Sequence, residues 1–302
     1  MAKIMDLLTL AMLGQTMRIS VPYILAALGG TFSERSGVVN IALEGILLNG
    51  AFCSVLMVYY TGNPWLGLIG GIIGGLILAF IHAIVCVKYK ADQIVSGVAL
   101  NLLAIGFTKF VLKIIFHSSS NSDRITGIPT WEIPGLEQFP ITNPFVLLTI
   151  LIIGLSQTIL YFTPFGLRLR AVGEHPAAAD SLGISVDRMR YAGVFISGIL
   201  GGLGGAYLAL DQHQFTDGMS SGRGYIALAA MIFGKWTPLG ATGACLLFGF
   251  AESFQIALQN AGYAIPTQFV QMIPYLLTMI ALAGVVGRSV APAADGKPYI
   301  KE

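Results

Sequence analysis

Residues 65–87 read Trp65-Leu-Gly67-Leu-Ile-Gly70-Gly71-Ile-Ile-Gly74-Gly75-Leu-Ile-Leu-Ala-Phe-Ile-His82-Ala-Ile-Val-Cys86-Val87, a run with no acid, lysine or arginine. As a helix rising 1.5 Å per residue, it is long enough to cross the roughly 30 Å hydrocarbon core of a bilayer. Its glycines at 67, 71 and 75, and again at 70 and 74, have the small-xxx-small spacing that lets two helix backbones approach closely in lipid. A second such cluster, Gly198, Gly201, Gly202 and Gly205, lies in the later half. Both are assigned to packing, and two glycine-rich halves hint at an internal repeat.

Outward from this run, comparable apolar stretches occupy residues 7–31, 37–60, 94–116, 144–164, 191–211, 239–258 and 268–287. A shorter piece, 224–234, stops at Lys235-Trp236-Thr237-Pro238 and reads as a half-span or re-entrant helix. The expected fold class is all-α: one polytopic integral membrane helical bundle over residues 1–302, with about eight spans plus that half-span. Composition agrees, since 55% of residues are hydrophobic, 11% are charged and the mean hydropathy is +0.76. Too little polar surface exists to cover a soluble core, so lipid must be a partner.

A net charge of +2 with scattered basic residues excludes a nucleic-acid patch. Cys53, Cys86 and Cys245 each sit inside an apolar run, which argues against a disulfide framework or zinc site. The first run lacks a basic leader and a small-residue cleavage site and carries Arg18 and Pro22, so it is expected to stay as the first span.

Two connections are long. Residues 117–143 hold Arg124 against Asp123, Glu132 and Glu137, whereas 165–190 hold Arg168, Arg170, Arg188 and Arg190. Lysine and arginine counting makes 165–190 cytoplasmic and 117–143 extracytoplasmic. Counting crossings with 224–234 as one puts the tail inside and the amino terminus outside.

Polar residues inside apolar runs are the candidates for a solute pathway. Asn40 and Glu44 are spaced one helical turn apart; Glu44 either lines a path, caps a helix or pairs with Arg35. Gln93, Ser96 and Asn101 follow Asp92, a carboxylate suited to a helix start. Glu252 and Gln255 share a face. The proposed pathway set is Asn40, Glu44, Ser96, Asn101, Glu252 and Gln255, with interhelical bonding as the competing role for each. Lys109 and Lys113 are expected to snorkel, and Arg18 to meet an acidic neighbour. The four histidines, His82, His117, His175 and His213, lack metal-like spacing.

No G-x-x-x-x-G-K-[ST] phosphate loop, H-E-x-x-H or G-x-S-x-G element occurs, so neither ATP hydrolysis nor another catalytic activity is expected of this chain. Within 165–190, Pro176-Ala177-Ala178-Ala179-Asp180-Ser181-Leu182 reads as a two-turn helix with proline at its first position and Gly183 just beyond its end. Without a large apolar face, it is shaped to lie in a groove of another protein rather than on headgroups.

Gly166-Leu-Arg-Leu-Arg-Ala-Val-Gly-Glu174-His-Pro-Ala-Ala-Ala-Asp-Ser-Leu-Gly183, running on to Ser197-Gly-Ile-Leu-Gly-Gly-Leu-Gly-Gly-Ala206, resembles the coupling-loop signature of ABC importer permeases of the branched-chain amino acid and ribose type. Glu34-Arg-Ser-Gly-Val-Val-Asn40-Ile-Ala-Leu-Glu44-Gly and Asp92-Gln-Ile-Val-Ser-Gly-Val-Ala-Leu-Asn101 look like its nucleoside-importing branch, and Arg223 to Gly240 agrees. Lys235 departs from the family, which commonly has a glycine there. The resemblance implies a bacterial inner-membrane importer in which this subunit pairs with a second related permease, a cytoplasmic ATPase and an extracytoplasmic substrate-binding lipoprotein. ATP and magnesium would sit on the ATPase and no cofactor on this chain. Coupling to the ATPase would fall on Glu174, His175, Pro176, Ala177, Ala178, Ala179, Asp180, Ser181, Leu182 and Gly183. Alternatives are the same machine carrying ribose or a branched-chain amino acid, and an ion-coupled secondary transporter using Glu44 and Glu252.

Overall fold

Helix starts follow local chemistry. Asn63, Asn143 and Thr163 each turn a side-chain oxygen onto a backbone N–H of the next turn, and each is followed by a proline, whose missing N–H costs nothing at a first helical position. Asp92 does the same without proline, accepting from the N–H groups of Ile94 and Val95.

The computed structural model describes residues 10–129, 143–260, 272 and 289–301. Its helices are α1 Leu10–Arg35, α2 Leu43–Thr61, α3 Pro64–Ala83 with a π turn at Ile84–Lys88, α4 Gln93–Phe116, α5 Pro144–Phe162, α6 Pro164–Glu174, α7 Pro176–Ser181, α8 Val186–Gln212, α9 Arg223–Phe233 and α10 Pro238–Asn260. Among the described residues the sole β pairing is one isolated bridge, Asn121 to Thr216.

Among the described residues, six stretches are long and apolar enough to cross a membrane: α2, α3 with its π turn, α4, α5, α8 and α10. The 26-residue α1 has the length but carries Arg18, Glu34 and Arg35. The expected span 268–287 lies outside the described residues, apart from Met272. Lipid-facing surface is plain on α3 and α4, where Ile69, Ile73, Ile77, Phe80, Leu102 and Phe110 are exposed. Outside a bilayer such an apolar surface would be a liability.

Two expected boundaries move. Residues 38–40 are not helical and α2 begins at Leu43, so Asn40 and Glu44 do not share a helix face. Gly37 adopts a left-handed φ of 89° at the turn that opens this stretch. The polar connection 165–190 is mostly helical, consisting of α6, α7 and the first turn of α8. Arg190 is thereby buried at 2% exposure inside α8 instead of standing at headgroups.

α8 is the axis of the bundle, packed against α1, α2 and α3. The two glycine clusters face each other: a Cβ on Gly75 would stand 2.2 Å from the Gly198 carbonyl and 2.7 Å from Gly202 Cα. Backbones this close gain dispersion contacts without a hydrophobic driving force.

The bundle has two ends. At one, Ser122 and Ile125 donate backbone N–H groups to Phe215 and His213, and Lys109 and Arg18 pair with Asp217 and Asp211 at 2.8 and 2.7 Å. At the other lie Arg35, Glu174, Trp236 and the tail 289–301.

Candidate functional site

Two non-helical stretches at bundle depth, 38–42 before α2 and 213–222 before α9, place the starts of two helices side by side. Each start leaves N–H groups unpaired and carries partial positive charge. Glu44, in the first turn of α2, answers the second. Its Oε1 accepts from Ser220 Oγ at 2.6 Å and from the Gly222 N–H at 2.8 Å, and its Oε2 accepts from the Gly224 N–H at 2.7 Å. Gly224 is required by this approach, because a Cβ there would lie 2.4 Å from the Glu44 nitrogen. The structure thus places Glu44 as the cap of α9, and Arg35 elsewhere, bonded to the carbonyls of Trp236 and Lys235.

Asn101 clasps the same junction from α4. Its Oδ1 accepts from the Gly45 N–H at 2.8 Å, while its amide donates to the Ile41 carbonyl and to the Tyr225 hydroxyl, both at 3.0 Å. Tyr225 is half exposed, and its own hydroxyl proton remains free to donate. Asn40 donates to Ser197 Oγ at 2.8 Å and keeps a buried, unpartnered Oδ1. Ser96 lies 3.0 Å from Nδ1 of the buried His82, whose Nε2 is 3.0 Å from the Val39 carbonyl. A carbonyl can only accept, so Nε2 carries the proton and Nδ1 accepts from Ser96. Gln93 holds the Val39 N–H at 2.7 Å.

A third polar group links α1, α9 and α10. Tyr23 donates to Glu252 Oε2 at 2.5 Å, and Arg223 donates to Glu252 Oε1 at 3.2 Å and to the Met219 carbonyl at 3.1 Å. Gln255 is one turn further along α10 and partly exposed.

The six sequence candidates therefore fall in three places. Glu44 and Asn101 meet at the α2/α9 junction, Asn40 and Ser96 brace the stretch leading into it, and Glu252 with Gln255 lies beyond α9's first residue. Sequence reading passed over His82, Ser197, Ser220, Arg223 and Tyr225. The run Ser220-Ser221-Gly222 just before 224–234 is a helix-start signal that could have exposed the capping role.

At the opposite end of the bundle, α7 presents Ala177, Ala178, Ser181 and Leu182 outward, with Leu182 at 81% exposure. Ala179 turns inward against Val172 and Val186. Glu174 pairs with Arg35 at 3.7 Å, tying the entry of α7 to the end of α1. Among the described residues no group of three His, Cys, Asp or Glu side chains converges as a metal site.

The family described as branched-chain amino acid transport system / permease component matches residues 12–282. The chain is 46% identical over 303 aligned positions to the guanosine ABC transporter permease protein NupQ of Bacillus subtilis (strain 168), covering 95% of each. It is 42% identical to the nucleoside ABC transporter permease protein NupC of Lactococcus lactis subsp. cremoris (strain MG1363), covering 93% of this chain and 94% of NupC. A second guanosine permease protein of the same B. subtilis strain, NupP, is 29% identical over 78% of this chain and 71% of NupP. A solved inward-facing conformation of a metal-chelate type ABC transporter shares the fold, with TM-score 0.50 and 16% identity over 90% of this chain and 85% of that one.

Proposed function

The chain belongs to the permease components of branched-chain amino acid transport systems, and from that premise we propose that it is the nucleoside-conducting permease subunit of an ABC importer. The carrying observation is the 46% identity to NupQ across 95% of both chains. NupP and NupQ are both guanosine ABC transporter permease proteins of one organism, which supports pairing with a second, related permease. A cytoplasmic ATPase would hold the ATP and magnesium, an extracytoplasmic lipoprotein would deliver solute, and the bacterial inner membrane would house the complex. We read the tail end of the bundle as cytoplasmic, with about eight spans, the last at 268–287, and α9 with the stretch before it making one further crossing.

Charge at the site supports a neutral solute. In discontinuous-helix transporters, helix starts commonly receive an anionic group of the substrate. Here the start of α9 is occupied by Glu44, the Gly45 N–H at the start of α2 by Asn101, and Arg223 is engaged by Glu252. An amino acid's carboxylate would find no free cation among these groups, whereas a nucleoside's hydroxyls and base edges can use Tyr225, which Asn101 holds in place, and Gln255. Asn40, Glu44, Ser96 and Glu252 then hold the pathway's walls in register. Coupling falls on Glu174 through Gly183, whose outward alanine face fits a groove on the ATPase.

The test is uptake into proteoliposomes carrying this chain, the second permease, the ATPase and the binding protein. ATP-dependent entry of guanosine or another nucleoside, in preference to ribose and leucine, is expected. Uptake by this chain alone, driven by a proton or sodium gradient, would instead establish a secondary transporter.

A further inference from the structure

The tail 289–301 is fastened at both ends of a short path. Its far end grips α7: the Tyr299 hydroxyl and Lys301 Nζ both donate to the Asp180 carboxylate at 3.1 Å. These two contacts hold Asp180 below the usual carboxylate range, with the Lys301 bond the larger cause. Tyr299 also packs on the apolar cluster of Val172, Ala179 and Val186 beneath the helix. Its near end is a turn over 292–297, anchored where the Ala294 N–H meets the Gly173 carbonyl at 2.9 Å and the Ala293 N–H meets Glu174 at 3.2 Å.

That turn also touches the stretch leading to Glu44. A Cβ on Gly37 would lie 3.3 Å from the Ala294 carbonyl and 3.2 Å from Arg190 Nη2, and one on Gly296 would lie 3.5 Å from Val39. Val39 is the residue held by His82 and Gln93. Packed contacts therefore run without a gap from α7, through the tail, to the non-helical entry of α2.

We infer that residues 289–301 are the second half of the coupling element, with Tyr299 and Lys301 positioning α7 through Asp180 and the turn 292–297 passing its movement to Gly37–Val39. This rests on the reading of α7 as the helix that docks the ATPase. A short helix fixed only by its own ends would absorb a push by tilting. One held by a side chain on each of two further elements transmits it, which is the condition for coupling through packed contacts.

The test uses the reconstituted four-component importer and reads nucleosides moved per ATP hydrolysed. Tyr299→Phe with Lys301→Ala is expected to lower that ratio about two- to fivefold, the scale of a partly exposed ion pair with one added hydrogen bond. The exchange Asp180→Lys with Lys301→Asp should recover most of the loss, which a merely structural tail would not show. Ala178→Trp runs in parallel and reads ATPase association. If Ala178→Trp dissociates the ATPase while the tail variants keep the full ratio, the tail inference alone is overturned. If Ala178→Trp leaves association and coupling intact, the docking assignment falls, and this inference with it.

Discussion

Replacing Glu44 tests the junction on which the site is built. In Glu44→Gln one carboxylate oxygen becomes an NH2 group, so either the Gly224 N–H or the Ser220 and Gly222 donors face another donor. Losing a charged hydrogen bond and leaving a buried N–H unpaired costs about 2–4 kcal/mol. Removing the negative charge from two helix starts adds up to about 2 kcal/mol in a partly buried setting. Glu44→Ala orphans all three donors and should cost more, while Ser220→Ala removes one and should cost less. The buried thiols of Cys86 and Cys245 supply the assay, since both are free and react with a fluorogenic maleimide only when the bundle opens. On the soluble-domain scale of about 2–4 °C per kcal/mol, Glu44→Gln should lower the midpoint by roughly 4–24 °C. A Glu44→Gln protein melting with the parent, with the order Ser220, Gln, Ala absent, would refute the capping argument.

Gly75→Ala should destabilise the bundle by about 1–3 kcal/mol in the same assay, because its Cβ meets the α8 backbone, whereas Gly106→Ala, with open space around it, should be neutral or slightly stabilising. Burial and the charge of Glu34 push the Asp295 carboxyl upward, against the opposing pull of Arg190. A carboxyl raised in the seated tail binds a proton that the released tail gives up. The Asp295 contribution to seating therefore weakens as pH rises above the ordinary carboxylate range. Spin-label distances between tail and α7 should lengthen with that rise and become pH-independent in Asp295→Asn. Tyr225→Ala should raise the KM for nucleoside uptake by removing a free hydroxyl and an aromatic face, the latter worth about 1–3 kcal/mol per stacked base in other proteins, while Tyr225→Phe should retain part of the affinity.

Most of the helices were legible because apolar runs and proline or asparagine starts are local signals. Residues 64–88 and 93–116 could be placed almost to the residue for that reason. The non-helical entry to α2 was not, since Val38 to Ala42 is as apolar as a span and, beyond Ser33 at Val38, partners distant in sequence, Gln93, His82, Ser197 and Asn101, satisfy its backbone and side chains. Glu44 was noticed as a buried acid, but its role depended on Ser220 to Gly224, far along the chain. Arg190 looked like a topology marker and is buried, because α8 begins at Val186 and encloses it, whereas the span was expected to start at 191. The two glycine clusters were assigned to packing correctly in kind, and their facing each other needed the fold. The tail's grip on Asp180 had no local signature at all, being one partly buried tyrosine and one exposed lysine near residue 300.

The most direct test of an ATP-driven nucleoside permease is the ATPase rate of the reconstituted complex, measured with its binding protein empty and then loaded from a panel of nucleosides, sugars and amino acids. Hydrolysis should rise with one or more nucleosides and stay at the unloaded rate with ribose and branched-chain amino acids. Stimulation by an amino acid or sugar with every nucleoside inert would contradict the account.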